Sequence, residues 1–80
     1  MKYVYILQSV SNPSKHYIGL THDLRERLAA HNSGKCTHTS KHTPWKIAVA
    51  TYFADDDKAV AFERYLKSGS GRAFAARHFR

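Results

Sequence analysis

The fold is decided between residues 3 and 20, where the chain reads YVYILQSVSNPSKHYIGL. Its first five residues are aromatic, β-branched or aliphatic, which predicts a β-strand. Asn12-Pro13-Ser14 is typical of a turn. Residues 16–20 predict a second strand, which would pair with the first as a hairpin.

The rest of the chain predicts one more strand and three helices. Asn32-Ser33-Gly34 should end the first helix. The acidic run Asp55-Asp56-Asp57 is interpreted as the N-terminus of the second helix and not as a metal site, because carboxylates complement the helix dipole there. The predicted elements are a helix capped by Thr21 or Asp23 and ending near His31, a strand over 45–53, a helix from 55 to about 68, and a short helix over 72–79. The order β-β-α-β-α-α predicts one α+β domain, residues 1–80, with a small three-stranded antiparallel or mixed sheet flanked by helices.

Composition narrows the class of protein. The 80 residues are 42% hydrophobic, too rich for disorder, and Cys36 is the single cysteine, which excludes a disulfide scaffold and fits a reducing, cytoplasmic location. Apolar runs are too short for a membrane span. Thirteen Lys and Arg against six Asp and Glu give a net charge of +7, spread over both halves of the chain. A distributed positive field suits nucleic acid, and plain solubility is the other interpretation.

Two helices carry polar residues close to their predicted inner faces. At about 100° per residue, Arg27 and His31 lie on one edge of the first helix beside its leucines, where they would look onto the sheet. His31 has a second interpretation, as a histidine that complements the C-terminal helix dipole. Glu63 lies on or beside the face of the second helix that meets the sheet. A buried carboxylate needs a cation, which could be a nearby arginine or a divalent metal.

The hairpin adds two phenols. Alternation places Tyr17 and Gly19 on one face of the second strand, and a suitable register would place Tyr5 on the same face. The two tyrosines would then flank a glycine that leaves room for a substrate. Ordinary packing of strand tyrosines is the alternative.

These residues carry a resemblance to a known family. Tyr3-Val4-Tyr5, then Tyr17-Ile18-Gly19, Arg27, His31 and Glu63, resemble in order and spacing the GIY-YIG nuclease superfamily, especially its small stand-alone bacterial members. The similarity runs through nearly the whole chain. Two departures are a first motif that reads Tyr-Val-Tyr instead of Gly-Ile-Tyr, and the lack of any asparagine after Asn32, where larger members carry one in the active site.

The resemblance implies metal-dependent cleavage of DNA phosphodiester bonds. It implies that Tyr5 and Tyr17 are the two motif tyrosines, either of which could act as the general base, with Gly19 supporting the site. Arg27 matches the catalytic arginine, and Glu63 the glutamate that would hold Mg²⁺ or Mn²⁺. His31 falls where relatives place a histidine or tyrosine near the reaction centre.

The resemblance also implies the substrate and setting. A stand-alone domain must bind branched, nicked or duplex DNA through its own surface, and it would select a DNA structure or show a weak sequence preference. The expected setting is DNA repair or recombination, where a protein partner could direct the domain to its substrate. The expected general phosphate contacts are Lys35, Lys41, Lys46, Arg64, Lys67, Arg72 and Arg77.

Three other interpretations stay open. A zinc site could form from His31, Cys36, His38 and His42, although their spacing matches no standard finger. The same fold could bind nucleic acid without cutting it, as a silent or slow module. The surface could also dock a protein partner.

Overall fold

A computed structural model describes residues 2–79 and confirms the α+β fold in the order β-β-α-β-α-α. A short 3₁₀ turn, Ser40–His42, lies between the first helix and the third strand. The elements are β1 (Lys2–Ser9), β2 (His16–Thr21), α1 (Leu24–Asn32), β3 (Trp45–Phe53), α2 (Asp56–Lys67) and α3 (Gly69–His78).

The sheet is antiparallel throughout, with the strand order β2-β1-β3 and β1 at its centre. The predicted hairpin is confirmed, because β1 pairs with β2 from Tyr3 opposite Thr21 to Gln8 opposite His16. β3 pairs with the other edge of β1, and a bulge shifts its register between Ile6 and Leu7. The central strand is therefore flanked on both edges.

The two faces of the sheet carry different helices. Val4 and Ile6 of β1 point to one face, where they form a core with Ala59 and Leu66 of α2 and with α3. Tyr5 and Leu7 alternate to the other face and pack with the α1 leucines and Trp45. Since β1 is covered on both sides, residues 4–7 are all nearly completely buried.

Helix caps follow the sequence at two of the three helices. Asp23 caps α1 by accepting a hydrogen bond from the Glu26 amide at 3.0 Å, and Asp55 accepts from the Asp57 and Lys58 amides at the start of α2. Gly34, with a φ of 81°, follows the end of α1 as predicted. None of the helices in residues 2–79 has the length and apolar character needed to cross a membrane.

The predicted start of the last helix is wrong by three residues. α3 begins at Gly69, before the predicted Arg72, because the Ser68 side chain caps it by accepting from the Gly71 amide at 3.2 Å. Gly71 is buried against the backbone of α2, and a Cβ there would lie 1.7 Å from the Tyr65 carbonyl oxygen. Gly71 therefore allows α3 to meet the end of α2 closely.

Candidate active site

The register of the hairpin brings the two motif tyrosines onto one face of the sheet. Gly19 lies opposite Tyr5, and Tyr17 lies opposite Leu7, two residues further along β1. The rings of Tyr5 and Tyr17 are 6.4 Å apart between centroids. The prediction that the two phenols share a face is confirmed.

Gly19 leaves room for a different group from the one predicted. A Cβ built at this position would lie 2.4 Å from the Tyr5 hydroxyl oxygen and 2.5 Å from its Cζ. The glycine therefore accommodates the phenol of Tyr5 across the strand pair, and the expectation that it opens space for a substrate is wrong.

The Tyr5 hydroxyl connects the sheet to α1. Arg27 donates to it through Nε at 3.3 Å, and His31 Nε2 lies 3.1 Å from it. Arg27 and His31 thus share the edge of α1 that faces the sheet, as the helical spacing predicts. His31 does lie in the last turn of α1, as the dipole interpretation expects, but it is completely buried and both of its ring nitrogens are hydrogen bonded to side chains.

The directions of these hydrogen bonds follow from their donors. The guanidinium only donates, so the Tyr5 oxygen accepts from Arg27 and its own hydrogen points to His31. His31 Nε2 is then the acceptor, and its Nδ1–H donates to Thr39 Oγ1 at 2.9 Å. The Thr39 hydroxyl donates in turn to the Cys36 carbonyl at 3.3 Å. We assign the histidine tautomer from this network.

Thr39 and Trp45 support the site and were missed by the sequence analysis. The Trp45 indole donates to the Thr39 carbonyl at 2.7 Å, and the Asn32 side chain accepts from the Trp45 amide at 2.6 Å. These bonds fix the segment between α1 and β3 and hold the 1% exposed Thr39 against His31. Nothing local in the polar loop 35–44 distinguishes Thr39 from its neighbours.

Burial sets the protonation of this network. Burial raises the pKa of the Tyr5 phenol above its ordinary value, although the Arg27 hydrogen bond and charge oppose the rise. Burial, reinforced by the Arg27 charge, lowers the pKa of His31. The hydrogen bond to Tyr5 raises the pKa of Arg27. At neutral pH the network therefore holds a neutral phenol, a neutral imidazole and a cationic guanidinium.

Glu63 lies outside this hydrogen-bonded network. It belongs to α2, which covers the opposite face of the sheet, and its carboxylate pairs with Lys67 one turn along the helix at 2.5 Å. The Glu63 side chain is only 14% exposed, against 54% for Lys67. The expected cation is present, but it is a lysine of the same helix and not an arginine.

The donor set around Glu63 limits the metal that could bind. Within residues 2–79, no three His, Cys, Asp or Glu side chains come together as a ready-made cluster of metal ligands. Mg²⁺ is often held by one or two carboxylates, with waters and substrate phosphates as its other ligands. A single, mostly buried carboxylate therefore fits Mg²⁺ better than Zn²⁺. Both ring nitrogens of His31 are already hydrogen bonded, which does not fit the zinc interpretation.

A cleft at the edge of β2 connects the two layers. Its volume is about 390 Å³, and its lining includes Lys15, His16, Tyr17, Lys67 and Arg72. Tyr17 belongs to the face of Tyr5, whereas Lys67 is the partner of Glu63 on the other side. The cleft therefore places cationic side chains beside one of the two phenols.

Two of the seven predicted phosphate contacts, Lys67 and Arg72, line this cleft. The other five are exposed but belong to separate elements, namely Lys35 and Lys41 in the segment after α1, Lys46 on β3, Arg64 on α2 and Arg77 on α3. Lys15 and His16 were missed, since their position in the cleft depends on how α2 and α3 meet the hairpin.

Comparison with known proteins finds relatives along most of the chain. A family model described as the GIY-YIG catalytic domain matches residues 1–75. A UPF0213 protein of Streptococcus pneumoniae serotype 4 (strain TIGR4) is 41% identical over 66 residues, which cover 81% of this chain and 65% of that protein. The UPF0213 protein YsiG of Lactococcus lactis subsp. lactis (strain IL1403) is 36% identical over 66 residues, covering 81% of this chain and 62% of YsiG. The chain thus spans slightly less than two thirds of the length of these relatives.

Proposed function

This chain belongs to the GIY-YIG family, which gives it a nuclease-type fold, and we propose that it is a divalent-metal-dependent endonuclease that hydrolyses DNA phosphodiester bonds. The observation that supports this most strongly is the convergence of Arg27, His31 and Tyr17 around the buried Tyr5 hydroxyl, beside a cationic cleft. Phosphodiester hydrolysis needs a cation for the developing negative charge and a proton acceptor for the attacking water. The cluster offers both kinds of group.

Arg27 is the proposed phosphate ligand. Its Nε–H is engaged by Tyr5, which leaves the terminal N–H groups of the fork to contact two phosphate oxygens. It also lines a second cavity, of about 260 Å³, at the far end of β2. The bond to Tyr5 fixes the orientation of the guanidinium before substrate arrives, which strengthens its effect on the transition state.

Tyr17 is the proposed proton acceptor, and Tyr5 the residue that positions Arg27. Tyr5 is 2% exposed, its hydrogen is directed to His31, and burial raises its pKa, so it is poorly placed to take a proton from water. Tyr17 is half-buried and lines the cleft, with its ring 4.8 Å from the ring of His31. Two cationic side chains, Lys67 and Arg72, line the same cleft.

Glu63 is the proposed metal ligand. Mg²⁺ or Mn²⁺ held by its carboxylate would neutralise charge that develops on the phosphate. In the structure the carboxylate is paired with the Lys67 ammonium, which compensates its charge in a mostly buried position.

The basic surface is the proposed DNA-binding element. Binding through Lys15, Arg72 and the scattered lysines would depend strongly on salt and little on sequence, because it is directed at phosphates. Branched or nicked DNA is the proposed substrate, in DNA repair or recombination in the cytoplasm, with a protein partner that supplies targeting.

The test is cleavage of labelled nicked, flap, branched and duplex DNA with Mg²⁺, Mn²⁺ or EDTA. Wild-type protein should cut at least one substrate in a divalent metal and none in EDTA. Glu63→Gln should lose this activity, whereas Glu26→Gln, which changes an exposed glutamate of α1, should retain it. Undiminished cleavage by Glu63→Gln would contradict the metal role.

One observation favours a second candidate function, nucleic-acid binding without cleavage. The carboxylate proposed to hold the metal is already neutralised by Lys67. A protein that only binds would show salt-sensitive DNA affinity that survives Glu63→Gln, and wild-type protein would leave the whole panel intact in both metals.

A further inference from the structure

Two tyrosines outside the proposed catalytic set, one half-buried and one exposed, form a pair on the sheet. Tyr3 of β1 lies opposite Tyr52 of β3, and their rings meet edge to face with centroids 5.4 Å apart. Tyr52 is 50% exposed, one of the most exposed large hydrophobic side chains in residues 2–79. Ala50, the next residue of β3 on this face, is also exposed and too small to cover the pair.

The pair lies on the same face as the proposed site. Side chains at Tyr3 and Tyr5 point to one face because they are two residues apart on β1. Thr21 flanks Tyr3 on the opposite edge of β1 from Tyr52. One face thus carries, on neighbouring positions, the Tyr5 that contacts Arg27 and an aromatic pair whose Tyr52 ring is exposed.

We propose that Tyr52, supported edge-on by Tyr3, is a stacking platform for an unpaired DNA base next to the phosphate held by Arg27. The favoured substrate would then carry a single strand beside the cleavage site. The position of the phosphate depends on the proposed function, whereas the stacking site is inferred only from the geometry of the sheet.

The surroundings match a nucleotide better than an apolar partner. The cavity of about 260 Å³ at the end of β2 is lined by Lys2, Thr21, Glu26 and Arg27, among others, and Arg27 is the cationic side chain that borders the face with the pair. Neighbouring strands are about 5 Å apart, so Tyr52 lies about two strand spacings from Thr21 at the cavity. A cationic side chain beside an exposed aromatic ring is the combination by which proteins bind single strands, because the cation contacts a phosphate and the ring stacks a base.

Base pairing decides which nucleic acid fits. In a duplex each base is stacked between its neighbours, and its faces are not open to a flat protein surface. Unpaired bases in ends, gaps and flaps can turn outward and stack on an aromatic side chain. Duplex DNA would therefore use the cationic side chains without using Tyr52.

The experiment is equilibrium binding of a fluorescently labelled oligothymidylate and of a labelled duplex, in EDTA so that no cleavage occurs. Tyr52→Thr removes the ring but keeps a strand-forming residue, and Tyr52→Phe keeps the ring. Tyr65→Ala is the matched control, because Tyr65 is 40% exposed and belongs to α2 on the other face. We expect Tyr52→Thr to bind the single strand about 5- to 150-fold more weakly and the duplex within about twofold of wild type. Tyr52→Phe and Tyr65→Ala should bind both like wild type.

A second measurement covers the case in which Tyr52→Thr fails to fold. An oligonucleotide containing 2-aminopurine should lose fluorescence on wild-type protein and on Tyr52→Phe, because the base stacks on the ring. Unchanged fluorescence would overturn the proposal, as would single-strand binding by folded Tyr52→Thr equal to wild type, or an equal loss for both DNAs. If Glu63→Gln abolishes cleavage but substitution of Tyr52 has no effect, the nuclease proposal stands and the stacking proposal fails. If Tyr52 stacks a base but wild-type protein cuts no substrate, the stacking proposal stands and the nuclease proposal fails.

Discussion

Replacing Gly19 with alanine tests how the site is assembled. The new Cβ would lie 2.4 Å from the Tyr5 hydroxyl oxygen, whereas ordinary contacts begin near 3.4 Å, so the phenol must withdraw by about 1.0 Å. Tyr5 is buried in the central strand, and such overpacking costs about 1–3 kcal/mol. For a chain of this size that corresponds to a fall in Tm of about 4–24 °C. The same displacement would stretch the bonds of 3.1 and 3.3 Å to His31 and Arg27 beyond about 3.5 Å.

The assay is urea unfolding followed by circular dichroism, with DNA cleavage measured under conditions where the variant stays folded. Gly69→Ala is the control, because a Cβ there meets nothing within 4 Å, and we expect its stability to change by less than about 1 kcal/mol. Gly19→Ala should lose both stability and cleavage. If Gly19→Ala were as stable and as active as Gly69→Ala, the close approach of Tyr5 to the glycine would be refuted.

Three further predictions concern the buried network and the cleft. Thr39→Val leaves the His31 Nδ1–H without its buried acceptor, so the free energy of unfolding measured in urea should fall by about 1–3 kcal/mol. Folding lowers the pKa of His31 below its ordinary 6.5, so the unfolded chain takes up the proton first as the pH falls. The free energy of unfolding should therefore have its full value above about pH 7 and decline as the pH drops through 6.5. A His31→Gln variant should show a flatter profile of urea midpoint against pH. Arg72→Gln should reduce the slope of log DNA affinity against log salt by about 0.9, if this cleft residue contacts one phosphate, and an unchanged slope would exclude that contact.

The sequence predicted the parts of the site that depend on local periodicity. Tyr5 and Tyr17 share a face because strands alternate, and Arg27 and His31 share an edge because they are one helical turn apart. Each of these relations needs only the element type and, for the hairpin, a short turn that limits the register. The order of elements followed from the same patterns.

The parts that the sequence did not predict depend on contacts between distant segments. Thr39 is one of several hydroxyl residues in a polar loop, and the hydrogen bonds of Trp45 to Thr39 and to Asn32 bring it to His31. The start of α3 at Gly69 was not predicted because the packing of Gly71 against the end of α2 is a tertiary contact. The role of Gly19 was misjudged for a related reason, since the space it leaves is filled from the neighbouring strand by Tyr5.

The central claim is that the cluster around Tyr5 orients Arg27 for phosphodiester cleavage. Single-turnover cleavage of a flap or nicked DNA in Mg²⁺ or Mn²⁺ by Arg27→Gln, compared with Arg25→Gln, tests it most directly. Both residues belong to α1 and carry the same charge, but Arg25 is exposed, whereas Arg27 donates to Tyr5. We predict a loss of about 100- to 1,000-fold for Arg27→Gln and a change within about threefold for Arg25→Gln. Equal rates for the two variants would contradict the account.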